Sequence, residues 1–392
     1  MFKRLFGKIE MEFSLIAIGD FAGKMGVDII NSMKEYDAKV HSLWLRRTKQ
    51  KNLLSKKFDN EVSFEEDLER RPKRVDDYKN NIDTELEEKI RKNTQKIIKK
   101  ENKFTMILVS SGTFSSGVGL WYANYLKEKF GIVPVVLYIY PDLSEPATAL
   151  LNSSEFLFYA LYSEKALNLP VILYDSSPGE EEKSLSFEEF VAKKNNLLAI
   201  TLRDLIISSY LPSISEDYKA TLNNLVEVLT IKGLSIIVSR TIGKLNEKQK
   251  AVRVNDLIID SVHYVTKIKK EEIYKAKGAY IAWFNVELDF QTNFEAKKLS
   301  SSFEYTRPYL KFISEEEVGE RALRAIISGL EVAPRIVKTM QQAKYAKKEL
   351  LVREGLSFDE LQEFSLQNIE KINTKIENLV FEAVKARKQF KP

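Results

Sequence analysis

One stretch constrains this chain more than any other: Ser110-Ser111-Gly112-Thr113-Phe114-Ser115-Ser116-Gly117-Val118-Gly119. It directly follows the apolar run Thr105-Met106-Ile107-Leu108-Val109 and leads into a helical pattern beginning near Trp121. Small residues at a strand-to-helix turn let the backbone come close to a ligand. The helix N-terminus then offers free N–H groups and a positive dipole end, which suits an anion such as phosphate. A bare tight turn is the alternative that this stretch alone leaves open.

Short apolar runs of the same kind recur at 13–19, 134–140, 170–175 and 197–201, and read as buried parallel strands. Helical patterns separate them at 27–33, 84–99, 121–130 and 147–162. The alternation predicts an α/β fold with a doubly wound parallel sheet, whose ligands sit at the carboxyl ends of the strands. After Leu211-Pro212-Ser213 a long helix-like segment is expected from about 216 to 240. Beyond Gly243 the strands become longer and more polar, which predicts a second, α+β domain. Helices dominate from Ser314, with capping-box starts at Ser314-Glu315-Glu316-Glu317 and Ser357-Phe358-Asp359-Glu360. The expected division is a nucleotide-binding domain over 12–213, a central helix and loop over 214–246, a second domain over 247–340 and C-terminal helices over 341–392.

Composition narrows the chemistry. At 392 residues, with 44% hydrophobic and 11% aromatic residues, the chain can bury a large core. A net charge of +5 spread through 30% charged residues gives no basic strip, so no nucleic-acid partner is expected. Cysteine is absent, which excludes disulfides and thiolate chemistry. Only His41 and His263 are present, too few for a His-rich metal site or a Ser-His-Asp triad. No run reaches membrane-spanning length and no cleavable signal is evident, so the expected location is cytoplasmic.

Four segments share one family's order. Gly19-Asp20-Phe21-Ala22-Gly23-Lys24-Met25-Gly26 fits neither a Walker A loop nor a dinucleotide fingerprint. It resembles the first phosphate loop of the tubulin/FtsZ superfamily, roughly G-Q-x-G-x-x-I-G. The stretch 110–119 resembles that family's G-G-G-T-G-[ST]-G, with serines and Phe114 at glycine positions. Glu145-Pro146-Ala147-Thr148-Ala149-Leu150-Leu151 resembles V-E-P-Y-N-A-x-L, and Thr221-Leu222-Asn223-Asn224-Leu225-Val226 resembles D-L-N-H-L-V. A fifth run, Ser239-Arg240-Thr241-Ile242-Gly243-Lys244-Leu245-Asn246, resembles L-R-F-P-G-Q-L-N.

The resemblance implies a tubulin-like protein that binds GTP or GDP with Mg2+. Gly19, Asp20, Phe21, Gly23, Ser111, Gly112, Thr113, Ser115, Ser116 and Gly117 would then surround the phosphates. Glu145 would hold the ribose, Asn223 (with Asn224 as its rival) the base edge, and Ser176 would stand near the base or sugar. The family places an acid in the loop after its central helix, where it enters the next subunit's site. Here that position falls on Lys248, with Glu247 one residue away, so hydrolysis is an open question. No glycine lies between Val27 and Ser111, and Arg70-Arg71-Pro72-Lys73-Arg74 occupies a region where the family senses the terminal phosphate. These cations would either bind phosphate or form a solvated loop.

The family also implies head-to-tail self-assembly into filaments. Residues 1–9 form a basic and aromatic amphipathic pattern, with Phe2, Leu5, Phe6 and Ile9 opposite Lys3, Arg4 and Lys8. Such a segment suits attachment to a membrane surface, strengthened by avidity along a filament, or packing on the body. The alternatives to a filament-forming GTPase are a tubulin-like scaffold with weak or no hydrolysis, and an unrelated nucleotide-fold enzyme.

Overall fold

In the computed structural model the described residues are 11–34, 36, 38–47, 57–64, 75–80, 82–141, 147–163, 165–175, 182, 184–241, 273–285, 290–313, 322–330 and 336. The segments 1–9, 70–74 and 341–392, with Glu145, Ser176, Glu247 and Lys248, lie outside them.

The amino-terminal part alternates strands and helices. Strand β1 spans Glu12–Ile18, followed by α1 (Asp20–Lys34), β2 (Lys39–Arg46), β3 (Asn60–Ser63), α2 (Val75–Asn80) and α3 (Thr84–Ile97). Then come β4 (Thr105–Ser110), α4 (Thr113–Phe130), β5 (Val135–Tyr140), α5 (Ala147–Leu157), β6 (Pro170–Asp175) and α6 (Phe187–Ser208). A π-helical turn, Phe158–Tyr162, extends α5. The rest contains α7 (Leu222–Leu229), β7 (Gly233–Thr241), β8 (Gly278–Phe284), α8 (Phe290–Ser302), β9 (Tyr309–Ile313) and β10 (Ala322–Leu330).

All ten strands join one sheet, in the order β3-β2-β1-β4-β5-β6-β7-β10-β8-β9. Pairing is parallel from β3 to β7. β10 runs antiparallel between β7 and β8, while β9 pairs parallel with β8. Strands such as β5, Val-Val-Leu-Tyr-Ile-Tyr, are buried along their whole length because helices cover both faces. One core gathers α2 to α5 and α8 on one face, and a second gathers α1, α6 and α7 on the other.

Chain direction across the sheet reverses between β1 and β4. Successive strands step outward to β2 and β3, and then resume on the other side of β1. Such a switch point opens a crevice at the carboxyl ends of the two strands. The helices that follow them, α1 and α4, lie on opposite faces and begin on either side of that crevice.

Two expectations require correction. The apolar run at 197–201 is not a strand but the middle of α6, where Leu198, Ala199 and Leu202 face the core. The segment 216–240 is not one helix. It contains the eight-residue α7, then Gly233 at φ 112°, then a strand. Its Ile236-Ile237-Val238 is β-branched, and the strand pairs between β6 and β10, which overrides any helical period. The long helix is instead α6, 22 residues started by a capping box between Ser186 and Glu189.

Candidate functional site

The first turn is made by one residue. Gly19 closes β1 at φ 85°, a conformation that disfavours a Cβ. Its N–H donates to the Leu45 carbonyl at 2.8 Å, and its own carbonyl accepts from Gly23 N at 2.9 Å and Trp44 Nε1 at 3.1 Å. Gly23 and Gly26 are already inside α1. A Cβ on Gly23 would stand 2.7 Å from Trp44 Nε1, and one on Gly26 2.9 Å from the Phe58 ring. These two glycines seat α1 on protein side chains, not on a ligand. The exposed Asp20 remains beside the first N–H groups of the helix, while the half-buried Phe21 packs against the core that gathers α1, α6 and α7.

The second turn is bound to the first. Ser110 N donates to Ser115 Oγ at 2.8 Å, and Ser115 Oγ donates to the Ile18 carbonyl at 2.6 Å. Ser116, fully buried, donates to the Ser110 carbonyl at 3.0 Å and meets Tyr138 Oη at 3.1 Å. Ser115 and Ser116 therefore build the turn from within. Gly117 accommodates α2, since a Cβ there would lie 2.7 Å from Tyr78 Cβ and the Val75 carbonyl. Phe114 does not obstruct the opening. It turns inward, edge-on to Phe64 and Tyr78 at centroid distances of 4.9 and 5.4 Å.

What faces outward is Ser111, Gly112 and Thr113. Helix α4 starts at Thr113, with Gly112 as N-cap, no side-chain cap bond and no acid in its first turn. Its orphan N–H groups and dipole thus meet no neutralising side chain of their own helix. Gly112 is exposed, and a Cβ on it would meet only Ser110 Oγ, at 4.0 Å. A residue missed by the sequence reading supports this turn. Asn152 on α5 donates through Nδ2 to the Ser111 carbonyl at 2.9 Å and to Thr113 Oγ1 at 3.1 Å. The uncapped start of α4 and the Gly19 turn that opens α1, stitched by Ser115 and set at the switch point, form a candidate anion site, with Asp20 as an acid in the first turn of α1.

Asn223 does not join this group. It is exposed on the first turn of α7. Leu225 and Leu229 of that helix line an apolar cavity with Phe13, Met33 and Phe104, residues at the amino ends of β1 and β4 and the far end of α1. Asn223 is thus at the opposite pole, and its rival Asn224 accepts from Thr221 N and Oγ1 at 2.9 Å to cap α7. The helix that runs beside α1 is α6, and its Asn195 is buried at 3% exposure. Asn195 hydrogen-bonds Asp28 of α1, while its Oδ1 has no partner among the described residues. Burial raises the Asp28 carboxyl above its ordinary range, and the Asn195 bond works against that rise. Only the placement of the long helix concealed Asn195 in the sequence.

With α6 as the long helix, the loop that follows it is 209–221, not 246–250. At 22 residues, α6 spans roughly 33 Å and carries the chain from the carboxyl ends of the parallel strands to the other pole. The loop lies along β9, with Ile214 N donating to Phe312 O at 3.0 Å and Ala220 N to Leu310 O at 3.3 Å. It holds two exposed acids. Glu216 pairs with Lys219 at 2.5 Å, which lowers its pKa, while Asp217 makes no ion pair among the described residues.

Among the described residues no group of three or more His, Asp or Glu could hold a metal ion, and no helix is long and apolar enough to cross a membrane.

No protein-family model matches the sequence, and no curated protein matches it significantly. Solved structures do match. CetZ2 from Haloferax volcanii, described as a GTPγS-bound protofilament, aligns with a TM-score of 0.64 at 14% identity, covering 86% of this chain and 99% of that one. A GTPγS-form protofilament of TubZ from Bacillus thuringiensis serovar israelensis aligns at 0.66 and 16%, covering 90% and 95%. An empty FtsZ dimer from M. jannaschii aligns at 0.59 and 13%, covering 81% and 88%. The backbone likeness extends over more than four-fifths of the chain in each case: this chain has the tubulin/FtsZ fold.

Proposed function

We propose that this chain binds a guanine nucleotide at the β1/β4 switch point and assembles head-to-tail into filaments. The observation that carries the reading is the uncapped start of α4 beside the Gly19 turn of α1 at one pole, joined through Ser115 to Ile18, with an exposed acidic loop at the other. The neighbours described as protofilaments, two of them GTPγS forms, support it. Asp20, Gly112 and Thr113 would face the phosphates, with Ser111 at the rim and Gly19, Ser115 and Ser116 as their frame. The ribose role stays with Glu145, and the neighbourhood of the base or sugar with Ser176. The base-facing role passes from Asn223 to Asn195, whose buried Oδ1 lacks a partner among the described residues.

A Mg2+ ion fits this arrangement as a companion of the phosphates. It needs only one or two protein carboxylates, and Asp20 supplies one at the turn. When bound, it would neutralise charge on the phosphate oxygens.

The acid that reaches a neighbouring subunit is assigned to Asp217 in place of Glu247. Its carboxylate would orient a water toward the terminal phosphate of the next subunit, so hydrolysis would follow contact between subunits. A heterologous contact of this kind does not close on itself and gives open filaments.

The test is direct. Mass spectrometry of the ligand released from purified protein should identify GDP or GTP, and GTP should drive formation of sedimentable polymer. A protein that carries no nucleotide and stays monomeric with GTP would overturn the proposal. Polymer without nucleotide would favour the scaffold reading. Residues 1–9 are proposed to hold the filament on a lipid surface. Their removal should abolish co-sedimentation with anionic vesicles while leaving assembly intact.

A further inference from the structure

We propose that Asn152 is a positioning residue that turns the Ser110–Thr113 segment into an anion receptor. The inference rests on the nucleotide reading above and deepens it.

Carbonyl oxygens are the groups in a tight turn that repel a phosphate. Here two successive ones are withdrawn into the body. The Ser110 carbonyl accepts from Ser116 Oγ at 3.0 Å, and the Ser111 carbonyl from Asn152 Nδ2 at 2.9 Å. A trans peptide points its C=O and the following N–H in opposite directions. Holding the Ser111 carbonyl against α5 therefore aims the Gly112 N–H away from α5, toward the side where Gly112 meets open space. The same amide fixes a second donor. A hydroxyl has one proton and two lone pairs. Thr113 Oγ1 accepts from Asn152 at 3.1 Å, so its own proton is left to donate outward. One side chain thus sets two donors at the start of α4.

The support beneath Asn152 is rigid. One residue along, Ser153 accepts from Tyr138 Oη at 3.0 Å and donates to the Ala149 carbonyl at 2.8 Å. Tyr138 is fully buried and also contacts Ser116. Helix α5 is therefore fastened to the turn through Asn152 and to β5 through Ser153 and Tyr138, whose hydroxyl lies against Ser116 Oγ. Asn152 itself is 9% exposed, held at the boundary where its amide can reach the turn without lining the opening.

A carboxylate at this position has the same shape but no donor. Asn152→Asp would repel the Ser111 carbonyl, draw the Thr113 proton inward and add negative charge behind the phosphates. Displacement of a fluorescent GDP analogue by GTP and by guanosine separates this role from a purely structural one. Asn152→Asp is expected to weaken GTP by ten-fold or more while changing guanosine less than two-fold. Asn152→Ala should fall between it and the parent. In a Thr113→Val background the Asn152→Asp loss should shrink, because one of its two targets is gone. Circular dichroism melting checks that each variant folds, and Asn152→Ala serves if the Asp variant does not. A parent chain that binds GTP while both variants bind equally well overturns the role of Asn152 alone. So does an equal loss of GTP and guanosine. A parent chain that binds no guanine nucleotide overturns the reading beneath it as well.

Discussion

Arg324 and Asp204 meet across 120 residues of sequence, Nε to Oδ2 at 3.0 Å, with both side chains 5% exposed. The pair fastens the long helix α6 to β10, in the centre of the carboxyl-terminal strands. Asp204 also takes Arg203 at 2.8 Å through its other oxygen, and Arg324 donates to the Arg240 carbonyl at 3.3 Å. Removing the acid strands a buried guanidinium, whereas removing Arg324 leaves Asp204 with Arg203. Asp204→Ala should therefore cost about 3–5 kcal/mol in urea unfolding, and Arg324→Met less. Equal losses would show that Arg203 gives Asp204 no effective second partner.

Asp28 sets a pH dependence. Its folded pKa is raised above the ordinary 3.8 by burial, against the Asn195 bond. The folded protein therefore binds this proton more tightly than the unfolded chain. The stability linked to it is present below the unfolded value and lost as pH rises through the folded one. Asp28→Asn should raise the melting temperature at pH 7, and the gain should vanish below about pH 4. A gain that persists at low pH would contradict the desolvation origin.

Two glycines that look alike in sequence should behave oppositely. At Gly117 a methyl would strike Tyr78 and the Val75 carbonyl at 2.7 Å, so Gly117→Ala should destabilise by about 1–3 kcal/mol. At Gly112 nothing lies closer than 4.0 Å, so Gly112→Ala should cost only the N-cap preference for Gly over Ala, about 0.5–1 kcal/mol. It should nonetheless weaken GTP binding by crowding the phosphates. Thermal melts of both variants with and without GTP make the comparison, and a tolerant Gly117 would show that α2 is loosely seated.

Hydrolysis distinguishes the two candidate acids. Asp217→Asn should reduce polymer-stimulated phosphate release by ten-fold or more and stabilise the polymer. Glu247→Gln should leave both unchanged. The reverse pattern would restore the acid to the loop after β7.

The strands were largely legible. The runs at β1, β4, β5 and β6 are continuous and apolar because both faces are covered, and this gives the parallel sheet and the two turns. Leu197-Leu198-Ala199-Ile200-Thr201 misled because a short apolar run has no period of its own and fits a buried helix equally well. That one misreading displaced the long helix by a whole element, and with it the asparagine proposed to face the base and the acid proposed to reach a neighbour. Gly23 and Gly117 were hidden differently. A glycine required by Trp44 or Tyr78 reads in sequence like one required by phosphate, because both only need the absence of a side chain. Asn152 carries no local signal at all, since its partners are 39 and 41 residues away.

The parallel ladder between β6 and β7, from Pro170 opposite Gly233 to Leu173 opposite Ile236, has a mechanical consequence. It carries the parallel ladder of the first half directly into β7, so one hydrogen-bonded sheet runs from β3 to β9. Torsion applied at the β3 edge is shared by every strand as far as β9. In a row of such subunits, bending would be resisted inside each molecule as well as at the joints.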